Sequence, residues 1–244
     1  MHCFSQATSD VRLEWGMPAI DYLAADADCI VIIDVMSFST CVSVAIDNGA
    51  RIYPYLRKDA SATEYGEKRG AVTAHFERRH GSEGYTLSPV SLRKIGQGER
   101  LVLPSPNGSA ISFRARETGA AIFSGCFRNR TATAEACRNF QRILLVPCGE
   151  QWPDGGLRPS VEDYIAAGSI IEAMGRGRCS PESLAALSAW QHYRQQNPGL
   201  LAECSSACEL HERGFGEDVA LCLETDRSSL ACRLYGEYYA EYQP

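Results

Sequence analysis

The chain has 244 residues, of which 45% are hydrophobic and 22% charged, a composition typical of a globular protein with a sizeable core. Its formal net charge of −6 gives no basic footprint for nucleic acid. No apolar run approaches the roughly 20 residues that span a bilayer, and no signal peptide is apparent. We therefore expect a cytoplasmic protein, with neither nucleic acid nor a membrane as its partner. The 11 cysteines include no C-x-x-C pair, so we expect reduced, mostly buried thiols rather than a zinc site.

The first part of the chain predicts two strands, each with a helix beside it. Residues 10–16 alternate between polar and apolar, which is typical of a half-exposed strand, and residues 17–27 predict a short helix. Residues 29–33 form an apolar run rich in β-branched types, which indicates a strand buried on both faces. Apolar spacing over residues 40–48 predicts a helix directly after it.

From residue 51 to residue 174, predicted strands and helices alternate. The strands are expected over 51–55, 71–76, 100–103, 120–123 and 142–147, and the helices over 59–69, 110–118, 131–139 and 160–174. This order predicts a three-layer α/β/α fold with a largely parallel sheet. Residues 180–244 predict a mainly helical C-terminal part. We expect one α/β domain over residues 1–244, built as one unit or as two lobes meeting near residue 98.

Asp34 stands where the buried strand ends, and Ser37, Ser39 and Thr40 open the helix that follows. Ligands bind at the carboxyl ends of strands in α/β sheets, and free amides at a helix start favour an anion such as phosphate. A carboxylate beside a phosphate needs a bridging cation, and hydrated Mg²⁺ bridges with one or two carboxylates. The junction therefore predicts a phosphate site with Mg²⁺, although an acid that only stabilises the helix end has the same pattern.

Polar clusters follow several other predicted elements. They are Glu77-Arg78, Asn107-Gly108-Ser109, Arg128-Asn129, Cys148-Gly149-Glu150 and Glu162-Asp163. If the sheet is parallel, these clusters share one edge and combine acids for a cation with arginines for an anion. Each has a structural alternative: Asn-Gly is typical of a turn, and Ser160 with Asp163 has the spacing of a capping box. We interpret the combination as a site for metal-assisted phosphate chemistry.

An ordered set of motifs over roughly residues 28–233 resembles the 2-phosphosulfolactate phosphatase (ComB) family. The motifs are Val31-Ile32-Ile33-Asp34-Val35 leading into Ser39-Thr40, Phe76-Glu77-Arg78, Leu87-Ser88-Pro89, Pro106-Asn107-Gly108-Ser109, Gly125 to Asn129, Cys148-Gly149, Val161 to Gly168 and Glu217 to Cys222. The resemblance implies a Mg²⁺-dependent phosphoric monoester hydrolase that converts 2-phosphosulfolactate to sulfolactate and phosphate, a step in coenzyme M biosynthesis. It also implies a three-layer α/β/α fold and a homo-oligomer such as a homodimer.

These observations together predict the site residues. We expect Asp34, with Glu162 or Asp163, to hold Mg²⁺, and we expect Asp34, Glu77 and Arg78 to be the catalytic residues. Arg78 would clamp the phosphate or another acidic group of the substrate, and Glu77 would orient the attacking water or serve as a further metal ligand. The residues expected to bind the substrate are Ser37, Ser39, Thr40, Asn107, Gly108, Ser109, Arg128 and Asn129.

Two other functions fit the sequence. The family usually has an arginine where this chain has Ser37, so a guanidinium partner for an anion is missing. Either Arg78 or Arg79 compensates for it, or the substrate carries less negative charge, which favours a phosphatase for another small phosphorylated 2-hydroxy acid. A non-catalytic relative that binds a small anion is the second alternative. The acids at Asp34, Glu77, Glu162 and Asp163 argue against it, since a pure anion binder would gain from losing them.

Overall fold

The computed structural model describes residues 4–78, 84–175, 177–196 and 198–243. The strands are β1 (Val11–Leu13), β2 (Cys29–Ile33), β3 (Arg51–Tyr55), β4 (Val72–Thr73), β5 (Arg100–Pro104), β6 (Ala121–Gly125), β7 (Ile143–Pro147), β8 (Glu150–Gln151), β9 (Leu157–Arg158), β10 (Cys232–Tyr235) and β11 (Tyr238–Glu241). The α-helices are α1 (Gly16–Leu23), α2 (Phe38–Asp47), α3 (Ala60–Glu67), α4 (Gly108–Ala115), α5 (Arg130–Cys137), α6 (Val161–Met174), α7 (Pro181–Gln196), α8 (Ser205–Glu212) and α9 (Gly216–Leu223).

Within the described residues, nine strands form one sheet in the order β1-β7-β2-β6-β10-β11-β3-β5-β4. The strands on each side of the β10–β11 hairpin pair in parallel within their own group. The hairpin joins the two groups through antiparallel pairing to β6 and β3. Helices cover both faces, so the predicted three-layer α/β/α fold with a mostly parallel sheet is confirmed.

The central strand β2 is buried on both faces because its side chains alternate between two apolar layers. Ile30 and Ile32 pack with residues of α1, α2 and α4. Cys29, Val31 and Ile33 pack on the other side with residues of α5, α6 and α7. All five are fully buried, and burying a Val or Ile side chain contributes about 1.5–3 kcal/mol. This strand therefore gives the sheet a rigid centre, and Asp34 follows it directly.

Two local predictions are wrong. Strand β1 is fully buried rather than half-exposed, because it pairs with β7 and α7 packs over it. Ser160 makes no capping hydrogen bond, so the predicted capping box at the start of α6 does not form. The C-terminal part is mainly helical, as predicted, and it also contains the β10–β11 hairpin, which lies in the interior of the sheet.

The ends of β2 and β5 meet, although the pairing pattern alone would separate them. The Gly108 amide after β5 donates to the Asp34 carboxylate after β2 at 2.9 Å. Three antiparallel pairings lie between these strands, so in a flat sheet their carboxyl ends would lie at opposite edges. The sequence predicts this meeting for strands of a parallel sheet, and the structure has it although β2 and β5 run in opposite directions.

Two expectations from composition can be compared with the described part of the chain. No helix there has the length and apolar character that a membrane span requires. Its cysteines are free thiols and most of them are buried, as predicted.

Candidate functional site

A cleft of about 180 Å³ lies beside the ends of β2, β3 and β5, and the α8 region forms part of its wall. Its walls hold four carboxylates against three cationic side chains among the described residues, which gives it an acidic balance. The polar and charged lining residues are Asp34, Ser37, Lys58, Glu77, Arg78, Ser105, Asn107, Glu150, Ser206, Glu209 and Arg213.

Asp34 is the buried carboxylate at the base of this cleft. Its Oδ1 accepts the Phe38 amide at 3.1 Å, and its Oδ2 accepts the Gly108 amide at 2.9 Å. A Cβ at position 108 would lie 2.8 Å from Asp34 Oδ2 and would also meet the Phe38 ring, so this approach requires glycine. Burial raises the pKa of Asp34 to about 6, with the Gly108 amide acting in the opposite direction and Glu150 adding to the rise. Two backbone amides thus fix the direction of the carboxylate, and its raised pKa shows that its negative charge is poorly compensated by the protein alone.

Arg78 reaches the cleft from the segment after β4 and is held from behind. Its Nη1 donates to Asp218 Oδ2 at 2.8 Å, and its Nη2 donates to the Ser37 hydroxyl. Asp218 in the first turn of α9 is itself fixed, because its Oδ1 accepts from the Ser88 hydroxyl at 2.6 Å and from the Val90 amide at 3.0 Å. The C-terminal helices therefore set the orientation of the guanidinium.

Glu150 and Asn107 form a second polar pair on the cleft wall. Asn107 Nδ2 donates to Glu150 Oε1 at 2.9 Å, and the Gln151 amide donates to the same oxygen at 2.9 Å. Both bonds end on Oε1, so Glu150 Oε2 has no hydrogen-bond donor within the described residues. A second carboxylate oxygen is consequently available beside Asp34.

Asp163 and Glu162 are buried but are not among the lining residues of the cleft. Asp163 accepts the Val35 amide at 2.7 Å and the Gly149 amide at 3.0 Å, so it ties the end of β2 to the end of β7. Burial, followed by the nearby charges of Glu162 and Asp34, raises the pKa of Asp163 well above its ordinary value. Glu162 Oε2 accepts the Cys204 thiol at 3.4 Å. Of the three predicted metal ligands, only Asp34 lies on the cleft.

The hydroxyl groups predicted to bind substrate satisfy the backbone instead. Ser39 donates to the Ile32 carbonyl, and Thr40 donates to the Val35 carbonyl. Ser109 donates to the Leu103 carbonyl at 2.5 Å. All three hydroxyl residues are fully buried, and neither they nor Gly108 are among the lining residues of the cleft. Among the predicted substrate-binding residues, Ser37 and Asn107 do line it.

Arg128 and Asn129 belong to a different part of the molecule. The Arg128 guanidinium is paired with Asp47 at 3.1 Å and with Glu224, and it is largely buried. Asn129 is fully buried and donates to the Ser124 carbonyl at 3.1 Å. Both residues therefore support the packing between α2, β6 and the segment after α9, and the cleft lining does not include them.

The sequence reasoning missed several residues of the cleft. Lys58 follows β3 just as Asp34 follows β2, so the rule that polar residues after strands build sites could have found it. Ser206, Glu209 and Arg213 come from or directly follow α8, and nothing in their local pattern distinguishes them from a solvated helix surface. Arg79 and His80, which follow Arg78 in the chain, lie outside the described residues.

Among the residues that the structure describes, no group of three or more His, Cys, Asp or Glu side chains is arranged so that it could hold a metal ion. Cys148 near the end of β7 is buried, and burial raises its pKa well above the ordinary thiol value. Burial of this kind is typical of a packing cysteine rather than of a nucleophile. The cleft brings several carboxylates and three cationic side chains, of which Arg78 is held in orientation by hydrogen bonds, around one small volume.

A three-layer α/β/α fold with acids and cations gathered beside strand ends defines a protein with a site for a small charged ligand. The chain belongs to the 2-phosphosulpholactate phosphatase family, whose model matches residues 20–236. A protein from Pseudothermotoga lettingae named probable 2-phosphosulfolactate phosphatase is 26% identical to it over 210 residues, which covers 82% of this chain and 86% of that relative. A protein of the same name from Thermotoga petrophila is 26% identical, over 80% of this chain and 84% of that relative. Another from a Synechococcus species is 27% identical, over 84% of this chain and 88% of that relative. The resemblance deduced from the motifs is thereby confirmed.

Proposed function

We propose that this protein is a Mg²⁺-dependent phosphatase that hydrolyses 2-phosphosulfolactate to sulfolactate and phosphate, as a step in coenzyme M biosynthesis. Family membership and the names of the relatives support the reaction class and the substrate. The observation that carries the proposal is the cleft in which Asp34 and Arg78, 44 positions apart, face the same small volume.

The charge balance of the cleft supports a divalent cation. A phosphate monoester is a dianion near neutral pH, and the described lining residues already carry more carboxylates than cations. Such a ligand would be repelled unless a further positive charge entered with it. Asp34 and the Oε2 atom of Glu150 fit hydrated Mg²⁺, which is bound by one or two carboxylates and otherwise by water and substrate phosphate. When bound, the ion would supply charge neutralisation at a phosphate oxygen.

The protein's own groups would orient the substrate around this centre. Arg78, held by Asp218 and Ser37, would donate to a phosphate or sulfonate oxygen from a fixed direction. Asn107 could exchange its bond to Glu150 for one to the substrate. Glu77 lines the cleft beside Arg78 and would orient the attacking water.

Ser37 supports a second candidate within the same reaction class. It accepts a hydrogen bond from Arg78 at a position where the family usually has an arginine, so one guanidinium fewer is available to the ligand. A phosphatase for another small phosphorylated 2-hydroxy acid would need less positive charge. We include in the proposal a homodimer and a cytoplasmic location, the latter supported by the free thiols of the described residues.

The test is phosphate release from a panel of 2-phospho acids, with 2-phosphosulfolactate and 2-phospholactate as the informative pair. We expect turnover of 2-phosphosulfolactate that EDTA abolishes and Mg²⁺ restores. Faster turnover of the acid without a sulfonate would favour the second candidate. Absence of release from every 2-phospho acid, with Mg²⁺ present and the protein folded, would refute both.

A further inference from the structure

We propose that Lys58 is the residue of the cleft that binds the phosphate group of the ligand, a role that rests on the proposed function for the identity of that ligand. Lys58 lies three residues after β3 and lines the cleft together with Arg78 and Arg213. No signal in the family motifs pointed to it.

The two arginines are already engaged by the protein. Arg78 uses Nη1 and Nη2 for Asp218 and Ser37, which fixes its position. Arg213 donates from Nη1 to Glu209 Oε1 at 3.0 Å. Each arginine can make further hydrogen bonds, but part of its donor capacity is already used by a neighbouring acid or hydroxyl group of the protein.

Lys58 differs because its ammonium group makes no hydrogen bond or ion pair with any residue that the structure describes. The adjacent Asp59 does not serve as its counter-ion, since Asp59 Oδ1 accepts the Ser61 amide at 2.9 Å and caps α3. The three donors of the ammonium are therefore all available to a ligand.

Lys58 lies among charges of both signs. The cleft walls remove part of the solvent from Lys58 and so lower its pKa, while Glu150 acts in the opposite direction more strongly than either arginine does alone. Arg78 and Arg213 add to the lowering of the pKa and Asp34 opposes it, and Glu150 and Asp34 are the acids proposed to face the divalent cation. A phosphate group placed among the three cations would satisfy the unused donors and offset their mutual repulsion. A flexible ammonium can follow a phosphate group as it is bound and released, which a clamped guanidinium cannot.

The chain has only three lysines, Lys58, Lys68 and Lys94, and this permits a direct test. Pyridoxal 5′-phosphate is an aldehyde that carries a phosphate group. Its aldehyde carbon condenses with a lysine amine to an imine, with loss of water, and borohydride then delivers hydride to the imine carbon to give a stable secondary amine. Peptide mass spectrometry of the intact wild-type chain with Mg²⁺ present reports which lysine is modified. Lys68, which is paired with Glu64, and the exposed Lys94 are internal controls.

We expect Lys58 to be modified at a concentration at least about tenfold lower than the other two lysines need, because Arg78 and Arg213 on the same cleft would hold the phosphate group of the reagent while its aldehyde meets the Lys58 amine. We also expect inorganic phosphate to protect Lys58. Pyridoxal, which lacks the phosphate group, should show no preference for Lys58. Equal modification of the three lysines, or no protection by phosphate, would overturn the proposal. Protection by methanesulfonate but not by phosphate would also overturn it, because Lys58 would then bind a sulfonate.

A variant gives a second measurement that does not depend on turnover. Lys58→Gln should raise the dissociation constant of inorganic phosphate by about tenfold or more, since a hydrogen bond to a charged group is lost. Lys58→Arg should recover part of the affinity, and Lys94→Gln should bind phosphate as the wild type does. An unchanged dissociation constant in folded Lys58→Gln would contradict the proposal. Phosphate binding that depends on Lys58 without hydrolysis of any 2-phospho acid would refute the phosphatase and leave the role of Lys58 intact.

Discussion

Replacing Asp218 by Asn tests whether the C-terminal helices hold the cleft together. Asp218 has 1% of its side chain exposed and accepts three hydrogen bonds, and its partner Arg78 has 8% exposed. An amide offers only one oxygen, so either the Arg78 guanidinium or the Ser88–Val90 segment would face an NH₂ group. The Arg78 charge would also remain largely buried without its counter-ion. Breaking a buried ion pair by removing one partner costs about 3–5 kcal/mol.

Equilibrium unfolding in urea measures the free energy of unfolding, and scanning calorimetry measures Tm in a separate experiment. We expect the free energy of unfolding to fall by about 3 kcal/mol, the lower end of that range, because Asn can keep one acceptor. For a chain of this size, this corresponds to a decrease in Tm of roughly 6–12 °C. The dissociation constant of phosphate should rise as well, since Arg78 loses its fixed direction.

Glu217→Gln is the matched control, because it makes the same change one residue earlier on α9 at an exposed position. It should alter the free energy of unfolding by less than about 0.5 kcal/mol. If Asp218→Asn were as stable as Glu217→Gln and bound phosphate equally well, the reasoning about the buried pair would be refuted.

Three further predictions concern the acids. Asp34→Asn should reduce Mg²⁺-dependent phosphate release by about a hundredfold or more and weaken Mg²⁺ binding in calorimetric titration; retained turnover would remove Asp34 from the site. In the metal-free protein the pKa of Asp34 is raised from 3.8 to about 6, so the native state binds a proton in that interval which the unfolded state does not. The contribution of Asp34 to stability should therefore be complete below pH 3.8 and be lost as the pH rises through about 6, and the difference in unfolding free energy between the wild type and Asp34→Asn should follow this curve. Asp163→Asn should lower the free energy of unfolding by about 1–3 kcal/mol, because one of the Val35 and Gly149 amides loses its acceptor. The dissociation constant of Mg²⁺ should stay unchanged in this variant. A weaker Mg²⁺ affinity without loss of stability would instead support Asp163 as a metal ligand.

The sequence was informative where the signal is local. The β-branched run before Asp34 predicts a doubly buried strand, and α2 does begin directly after Ser37. The type of cap was not predictable in the same way. Ser37 makes no capping bond, and Asp34 accepts the first helical amide instead, because Ser37 faces Arg78.

The predicted metal ligands show where local patterns stop being sufficient. Asp163 in the first turn of a helix looks the same in sequence whether it faces a cation, caps its own helix or binds distant amides. Its actual partner Val35 lies 128 positions away in the chain. Likewise, Ser39, Thr40 and Ser109 have the right chemistry for an anion, but each hydroxyl donates to a nearby carbonyl once it is buried.

The charged residues of α8 and α9 could not be assigned from spacing. Arg213 and Asp218 stand on elements with ordinary helical patterns, and only the tertiary fold places one on the cleft and the other behind Arg78. Lys58 could have been predicted in part, because it follows a strand, where ligand sites of α/β sheets lie, but it belongs to none of the family motifs.

The position of the β10–β11 hairpin has a consequence for biogenesis. The hairpin comes after all the other strands in the chain, yet it is the only described pairing that links the β6 side of the sheet to the β3 side. During synthesis, each half can pair its own parallel strands, but the two halves cannot be joined edge to edge until about residue 241 has left the ribosome. From the synthesis of β6 until that point, nascent chains would carry two open sheet edges, at β6 and at β3, and such edges are the usual sites of aggregation.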